Sequence, residues 1–431
     1  MTKLLIDPGS LHPAALHPPP SKSDAQRALV LAHLLRAEGV EVPAPSEWPV
    51  LHGPIDALPD DVRVVYGGLA AISGATAASI DCGDGGAPFR LLLSQAAIAS
   101  DVRTELLGSK RLGERPHRPL FEALKRTLGP AGLELKEGSP WPVHVGGATG
   151  LAETARFVID VRESSQFASS LLLAACALHL RERRPWTVEL VGEEEAGSAG
   201  YLALTVQWAE RCGFTVVREG RELRVTEHAA PQRWPDVPGD WSSLGYLVLL
   251  AWASGGEAAG VDLSAAHPDR AVVRLLEETG LELGKGTAPD RLRVSGKPLR
   301  GVVASGAECP DLLPTLAAFA CLCPSPSTLT HVHLLRAKES DRVQGIRDLV
   351  AAAGGRTELD SKTHVLTVHP PERVRPFSFH SRGDHRMAMC AAVLGVLGRV
   401  RVELEEPECV SKSFPGFFDE LAALGVALTP L

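Results

Sequence analysis

Lysine, arginine and serine recur in this chain where helices should begin, and two acids stand among them. Lys22, Ser23 and Arg27 lie in PPPSKSDAQRALVLAHLL, Arg115 in GERP, and Ser164, Ser165 and Gln166 in SSQ. Ser198 and Tyr201 follow in SAGY, Lys338, Glu339 and Arg342 in RAKESDR, Asp384, His385 and Arg386 in GDHR, and Lys412 in SKSFP. Cations at a helix N-terminus oppose the macrodipole. They become tolerable when an anion sits between them and the free N–H groups of the helix. Arginine forks and lysine point charges in this density suit a substrate carrying several phosphate and carboxylate groups. Asp311, in PDLLPT, and Glu339 do not fit that task, because neutralising a polyanion needs no acids. They read as proton-transfer groups.

The elements that must position these residues repeat. Besides the opening run, five polar or glycine-bearing knots lead into helix-length stretches of small apolar residues, beginning at Cys82, Ser164, Gly239, Cys309 and Asp384. Successive knots lie roughly 60 to 80 residues apart, the size of a compact α/β unit. The stretches are apolar nearly all round and should be buried. Between them run amphipathic helices such as YLALTVQWAERCGFTVV and DRVQGIRDLVAAAGGRTEL, each closed by a C-cap glycine before a short strand. Six such units suggest two domains of three, with helices inside and sheet outside. If the buried helices run parallel within a domain, their N-termini converge on one face and make an anion site.

Composition sets the outer bounds. The chain has 431 residues, 45% apolar and 22% charged, with a formal net charge of −8. No global basic field recruits nucleic acid or an anionic membrane, and 5% aromatic content gives no base-stacking surface. No apolar run reaches the ~18 residues that span a bilayer. The eight cysteines are scattered, and Cys321 and Cys323 are spaced neither for zinc nor for a redox pair. With no secretory leader pattern, a reducing, cytoplasmic setting is expected. His385 reads as a group held by hydrogen bonds rather than a metal ligand, since no partner ligands stand at suitable spacing. His331 and His333 should share one face of a strand in a structural role, and Trp241 should serve packing.

The motifs SKSDAQRAL, GDGGAPFR, GERP, SSQF, SAGY, GDWSS, PDLLPT, RAKESDR, DHRMAM and SKSFP, in this order, resemble those of the 5-enolpyruvylshikimate-3-phosphate synthase family along nearly the whole chain. The resemblance implies transfer of the carboxyvinyl group of phosphoenolpyruvate to the 5-hydroxyl of shikimate 3-phosphate, with release of phosphate. This is a step of aromatic amino-acid and chorismate biosynthesis. It implies a tetrahedral addition intermediate, no metal and no organic cofactor. The implied fold is α/β: two inside-out domains of three repeated units, buried parallel helices with outer sheets, and the active site in the interdomain cleft. The chain would start in one domain, enter the other near Pro19 and return around Asp236, giving residues 1–18 with 237–431 and residues 19–236. Two domains forming their own site need no partner chain, so a monomer is expected.

Carried over by motif, Ser164, Ser165, Ser198 and Tyr201 would hold the 3-phosphate of the shikimate ring, and Ser23 and Arg27 its carboxylate. Lys22, Asp311 and Lys338 would also touch that substrate. Lys22, Gln166, Arg115, Arg342, Arg386 and Lys412 would surround phosphoenolpyruvate, with the backbone N–H of Gly86 beside it. Asp311 would take the 5-hydroxyl proton, aided by Lys338 or Lys22. Glu339 would protonate the methylene carbon. Ligand-driven closure would bring Lys22 and Arg115 against Asp311, Arg342 and Arg386.

Some features depart from the family pattern. Asp84-Gly85-Gly86-Ala87 stands where Asn-x-Gly-Thr is common, and an aspartate beside phosphoenolpyruvate would repel it unless turned toward a cation or protonated. Leu334 replaces an asparagine found in some members, and proline-rich VPAPSEWPVLHGP breaks the pattern within residues 38–80. Two rivals remain. A sibling enzyme that uses UDP-N-acetylglucosamine carries a cysteine at the position of Lys110. A non-catalytic binder of phosphorylated metabolites should have lost Asp311 and Glu339.

Overall fold

The computed structural model describes residues 2–43, 58–74, 77–99, 103–129, 133–135, 140–146, 154–192, 196–260, 262 and 267–431. Its chain divides into two compact units: Met1–Ser21 with Pro238–Leu431, and Lys22–Val237. Each has its own apolar core.

One module recurs through both. In Lys22–Val237, strand Arg156–Asp160 runs into the helix Ser165–Glu182, then strand Trp186–Val191, helix Ala196–Arg211 and the hairpin Phe214–Glu219 with Glu222–His228. The first two strands pair in parallel, and the later pairings are antiparallel. A parallel pair needs a crossover, which the helix supplies. The sheet formed by Ala77–Asp81, Arg103–Leu107, Leu133–Leu135 and Val143–Val145 repeats this order. Three sheets of the other unit do so as well. One of them borrows strand Lys3–Asp7 from the start of the chain, between Val402–Glu405 and Ala427–Pro430. Another pairs the two-residue strand Ala15–Leu16 with Glu257–Ala258, so residues 22–237 are an insertion within a single module. Residues 22–74 supply two helices, Lys22–Ala37 and Asp60–Gly74, and among the described residues no strand of their own. The VPAPSEWPVLHGP stretch falls mostly outside the described residues.

The first helix of each complete module lies in the core, as its all-round apolar sequence requires. The helix Gly86–Ile98 is buried at every position but Ala87, and His385–Gly398 from His385 to Val396. Strands alternate, one face inward and one outward, as in Trp186–Val191. The glycines that close the second helices, Gly129, Gly213, Gly280, Gly354 and Gly425, all have positive φ. Gly213 shows why no other residue fits: φ is +94°, and a Cβ there would stand 1.8 Å from the Ala229 carbonyl oxygen.

The expectation of a shared strand face for His331 and His333 is not met. The strand Ser327–Thr330 ends one residue earlier, His331 bends the chain at φ +53°, and His333 sits in a 3₁₀ turn, Val332–Leu335. The HVH alternation imitates strand periodicity, but a left-handed residue breaks it. Trp241 is buried and donates from Nε1 to the Asp262 carbonyl at 3.2 Å, a packing role.

Candidate active site

In the unit containing Pro238–Leu431, one guanidinium gathers the chemistry. Arg342, the first residue of the helix Arg342–Ala352, has a side chain only 1% exposed. Its Nη1 donates to Asp311 Oδ1 at 2.9 Å, its Nη2 to Glu339 Oε2 at 2.7 Å, and its Nε to Asp384 Oδ2 at 2.9 Å. Asp341 caps that helix by accepting from the N–H groups of Val343 and Gln344. Asp384 does double duty: it bonds Arg342 and caps the helix His385–Gly398 through the N–H of Arg386. Asp311 lies in the turn before the helix Leu313–Ala320. The ends of these helices therefore meet around one cation.

Four cations and three acids make up the cluster. Lys338 Nζ is 3.4 Å from Asp311 Oδ1, Arg386 Nη2 is 3.2 Å from Asp311 Oδ2, and Lys412 Nζ is 3.7 Å from Glu339 Oε1. Lys412 Nζ is buried and, at that distance, makes no hydrogen bond. Burial pushes the Asp311 carboxyl upward, but the charges of Arg386, Lys338 and Arg342 outweigh it and hold the group well below the usual carboxylate range. Behind them Asp269, wholly buried and bonded by Ser242 Oγ, is raised by burial in the opposite direction. His385 is fully buried at the head of its helix.

The other unit holds the rest of the expected residues. Lys22 Nζ lies 3.0 Å from the buried carboxylate of Asp61, in the first turn of the helix Asp60–Gly74. No side chain caps the helix Gly86–Ile98 at its N-cap residue, Gly85. The Arg115 guanidinium lies flat against Gly86, where a Cβ would come within 2.6 Å of it. Gln166 accepts at Oε1 from Arg90 Nη1 at 2.6 Å, which assigns the other end of the amide as the donor. Arg90 also donates to the Pro116 carbonyl at 2.9 Å, tying the GERP loop to the same point. Ser164 caps the helix Ser165–Glu182 through the N–H of Gln166.

Arg27 is anchored more than the sequence suggested. Nε donates to Thr205 Oγ1 at 2.7 Å, Nη1 to the Ser23 carbonyl at 2.7 Å, and Nη2 to the Tyr201 carbonyl at 3.0 Å. Burial pulls its pKa down to about 10, with Asp24 opposing. The Ser198 side chain lies outside the described residues, although its backbone belongs to the helix Ala196–Arg211. Asp84 is exposed and its carboxylate is turned to the Ser109 hydroxyl, while its backbone carbonyl accepts from Arg115 at 3.4 Å.

Sequence reasoning missed Asp61, Arg90, Thr205 and Asp269. Arg90 was the most accessible of these, since a charged residue inside the apolar run APFRLLLSQAAIAS requires a buried partner. Asp61 carried no such signal.

Buried-helix modules with cations and acids at their helix ends define the class, and the fold is that of the enolpyruvyl transferases. It matches an EPSP synthase from Acinetobacter baumannii with a TM-score of 0.70, at 17% identity over 100% of both chains. It also matches the enolpyruvyl transferase NikO from Streptomyces tendae with a TM-score of 0.59, at 16% identity. The sequence is 34% identical to a 3-phosphoshikimate 1-carboxyvinyltransferase of Methanoculleus marisnigri, covering 96% of this chain and 97% of that one. A protein of the same name from Methanopyrus kandleri is 33% identical, with 95% of each covered. The family model described as EPSP synthase (3-phosphoshikimate 1-carboxyvinyltransferase) matches residues 55–421. The chain belongs to the EPSP synthase family.

Proposed function

We propose that the protein transfers the carboxyvinyl group of phosphoenolpyruvate to the 5-hydroxyl of shikimate 3-phosphate, with the two clusters dividing the work. The observation that carries the reading is Arg342 holding Asp311 and Glu339 on separate nitrogens. An addition to a vinyl carbon needs a base and an acid kept apart and aimed at different atoms.

Lys22, Arg115, Gln166 and the N–H of Gly86 take the phosphate of phosphoenolpyruvate, and Arg342 and Arg386 its carboxylate. Ser164, Ser165, Ser198 and Tyr201 take the 3-phosphate of the acceptor, with Ser23 and Arg27 at its carboxylate. Glu339 delivers a proton to C3 of phosphoenolpyruvate, and C2 gains cationic character. Asp311 accepts the proton of the 5-hydroxyl as that oxygen bonds to C2. Collapse of the adduct returns a proton from C3 to Glu339 and breaks the bond to phosphate, which takes up the proton held by Asp311 and whose charge Lys412 also counters. Net, the hydroxyl proton leaves with the phosphate.

The resting charge pattern bears on this sequence. Asp311 is a weak base while Arg386, Lys338 and Arg342 all face it. Once Arg342 and Arg386 engage a carboxylate of the substrate, their pull on Asp311 weakens and its basicity rises. Lys110, where the sibling enzyme carries its cysteine, stands exposed at the start of a short helix, Lys110–Gly113. The test is phosphate release with shikimate 3-phosphate and, separately, UDP-N-acetylglucosamine as acceptor. Release with shikimate 3-phosphate alone is expected, and release with UDP-N-acetylglucosamine alone would overturn the reading.

A further inference from the structure

Asp61 joins two parts of the phosphate-binding half that the sequence presents as unrelated. Its side chain is only 7% exposed, and Oδ2 lies 3.0 Å from Lys22 Nζ. The main chain is gripped too, because Gln26 Nε2, from the same helix as Lys22, donates to the Asp61 carbonyl at 3.2 Å. The other carboxylate oxygen faces the glycine-rich turn: a methyl group on Gly85 would stand 2.9 Å from Oδ1. Asp61 thus sits between the lysine and the turn that presents the N–H of Gly86.

A carboxylate placed here has two opposed effects on an anionic ligand. It repels the phosphate, and it orders the long lysine stem, whose rotamer freedom would otherwise be lost on binding. The repulsion is attenuated, because the carboxylate already faces Lys22 and the positive end of its own helix, Asp60–Gly74. The ordering has no such offset. The bond to Asp61 fixes where the ammonium stands.

We infer that Asp61 is a positioning residue that links the Lys22 ammonium to the glycine-rich turn and orders it for the phosphate of phosphoenolpyruvate. The inference rests on the proposed role of Lys22 and adds a constraint on Gly85. A side chain there would crowd the carboxylate, and it would also meet the Pro88 ring at 2.9 Å and the Cys82 carbonyl oxygen at 3.0 Å. The backbone itself, at φ −74° and ψ 92°, would accept alanine.

The experiment uses the full chain. Steady-state phosphate release is measured while each substrate is varied for wild type, Asp61→Asn and Gly85→Ala. Binding of labelled phosphoenolpyruvate in the presence of shikimate 3-phosphate is followed by equilibrium dialysis. Both variants should raise the KM for phosphoenolpyruvate about tenfold or more, lower kcat, weaken phosphoenolpyruvate binding in parallel, and leave the KM for shikimate 3-phosphate within about twofold. A fall in kcat with both KM values unchanged would make Asp61 merely structural. A lower KM for phosphoenolpyruvate would make it a mask on Lys22. Either result overturns the inference. Should Asp61→Asn fail to fold, Asp61→Glu, which keeps the charge but moves it by one methylene, reads the same contact, with Gly85→Ala as a second probe that also presses on Pro88 and the Cys82 carbonyl. Wild-type protein that binds phosphoenolpyruvate yet releases no phosphate would sink the functional reading, while the dialysis comparison would still decide the role of Asp61.

Discussion

Arg342 and its three carboxylates concentrate the account at the scale of single residues. Replacing Glu339 by glutamine keeps a hydrogen-bond acceptor for Arg342 and removes the proton. Turnover should fall about 10²- to 10⁴-fold, the usual worth of a general acid. Shikimate 3-phosphate binding, measured by calorimetry, should change little. Asp311 makes a second prediction, about pH. Its folded pKa is depressed by Arg386, Lys338 and Arg342. The stability it contributes is therefore present above the unfolded carboxylate value of about 3.9 and is lost as the pH falls through the folded value. Melting temperatures taken from pH 6 to pH 3 should drop more steeply for wild type than for Asp311→Asn. Parallel curves would mean the ion pairs do not stabilise the fold. The cations and both acids were legible in the sequence, because lysine and arginine at helix starts conflict with the macrodipole and so require an explanation. Asp61 was not legible: an aspartate in the first turn of a helix is ordinary, and its partner lies 39 positions away.

The elements explain why these residues meet. Buried helices were readable from runs apolar on every side, and the outer helices from their closing glycines, five of which adopt positive φ. Gly213→Ala should cost about 1–3 kcal/mol, from left-handed strain and the clash with the Ala229 carbonyl. Urea denaturation would show the shift in midpoint. At the glycine-rich turn, Gly86→Ala drives a methyl group into the Arg115 guanidinium. Overpacking of this kind costs about 1–3 kcal/mol, so the KM for phosphoenolpyruvate should rise roughly tenfold, with the KM for shikimate 3-phosphate nearly unchanged. What the elements hid was pairing. The strand Ala15–Leu16 is two residues long and meets Glu257–Ala258, and Lys3–Asp7 lies between strands from the far end of the chain. No periodicity in a window reports a partner so distant. HVH at 331–333 misled for a related reason, since a single left-handed residue ends the strand without changing the hydropathy pattern.

At the scale of the whole molecule, one module is repeated, and a complete unit, residues 22–237, is inserted within another module of the same design. The insertion explains why the motifs fall into two sets along the chain, Lys22 to Tyr201, proposed to bind phosphates, and Asp311 to Lys412, which carries the two acids. A turnover that needs both sets should be abolished by damage to either, while partial reactions remain. Phosphoenolpyruvate should still bind to a Glu339→Gln protein that no longer releases phosphate. The central claim is therefore tested most directly by phosphate release from phosphoenolpyruvate, with shikimate 3-phosphate as acceptor, in wild type and in Glu339→Gln. Acceptor-dependent release by the wild type and a loss of about 10²-fold or more in the variant are expected. Equal release from both proteins, or release that does not depend on the acceptor, would contradict that claim.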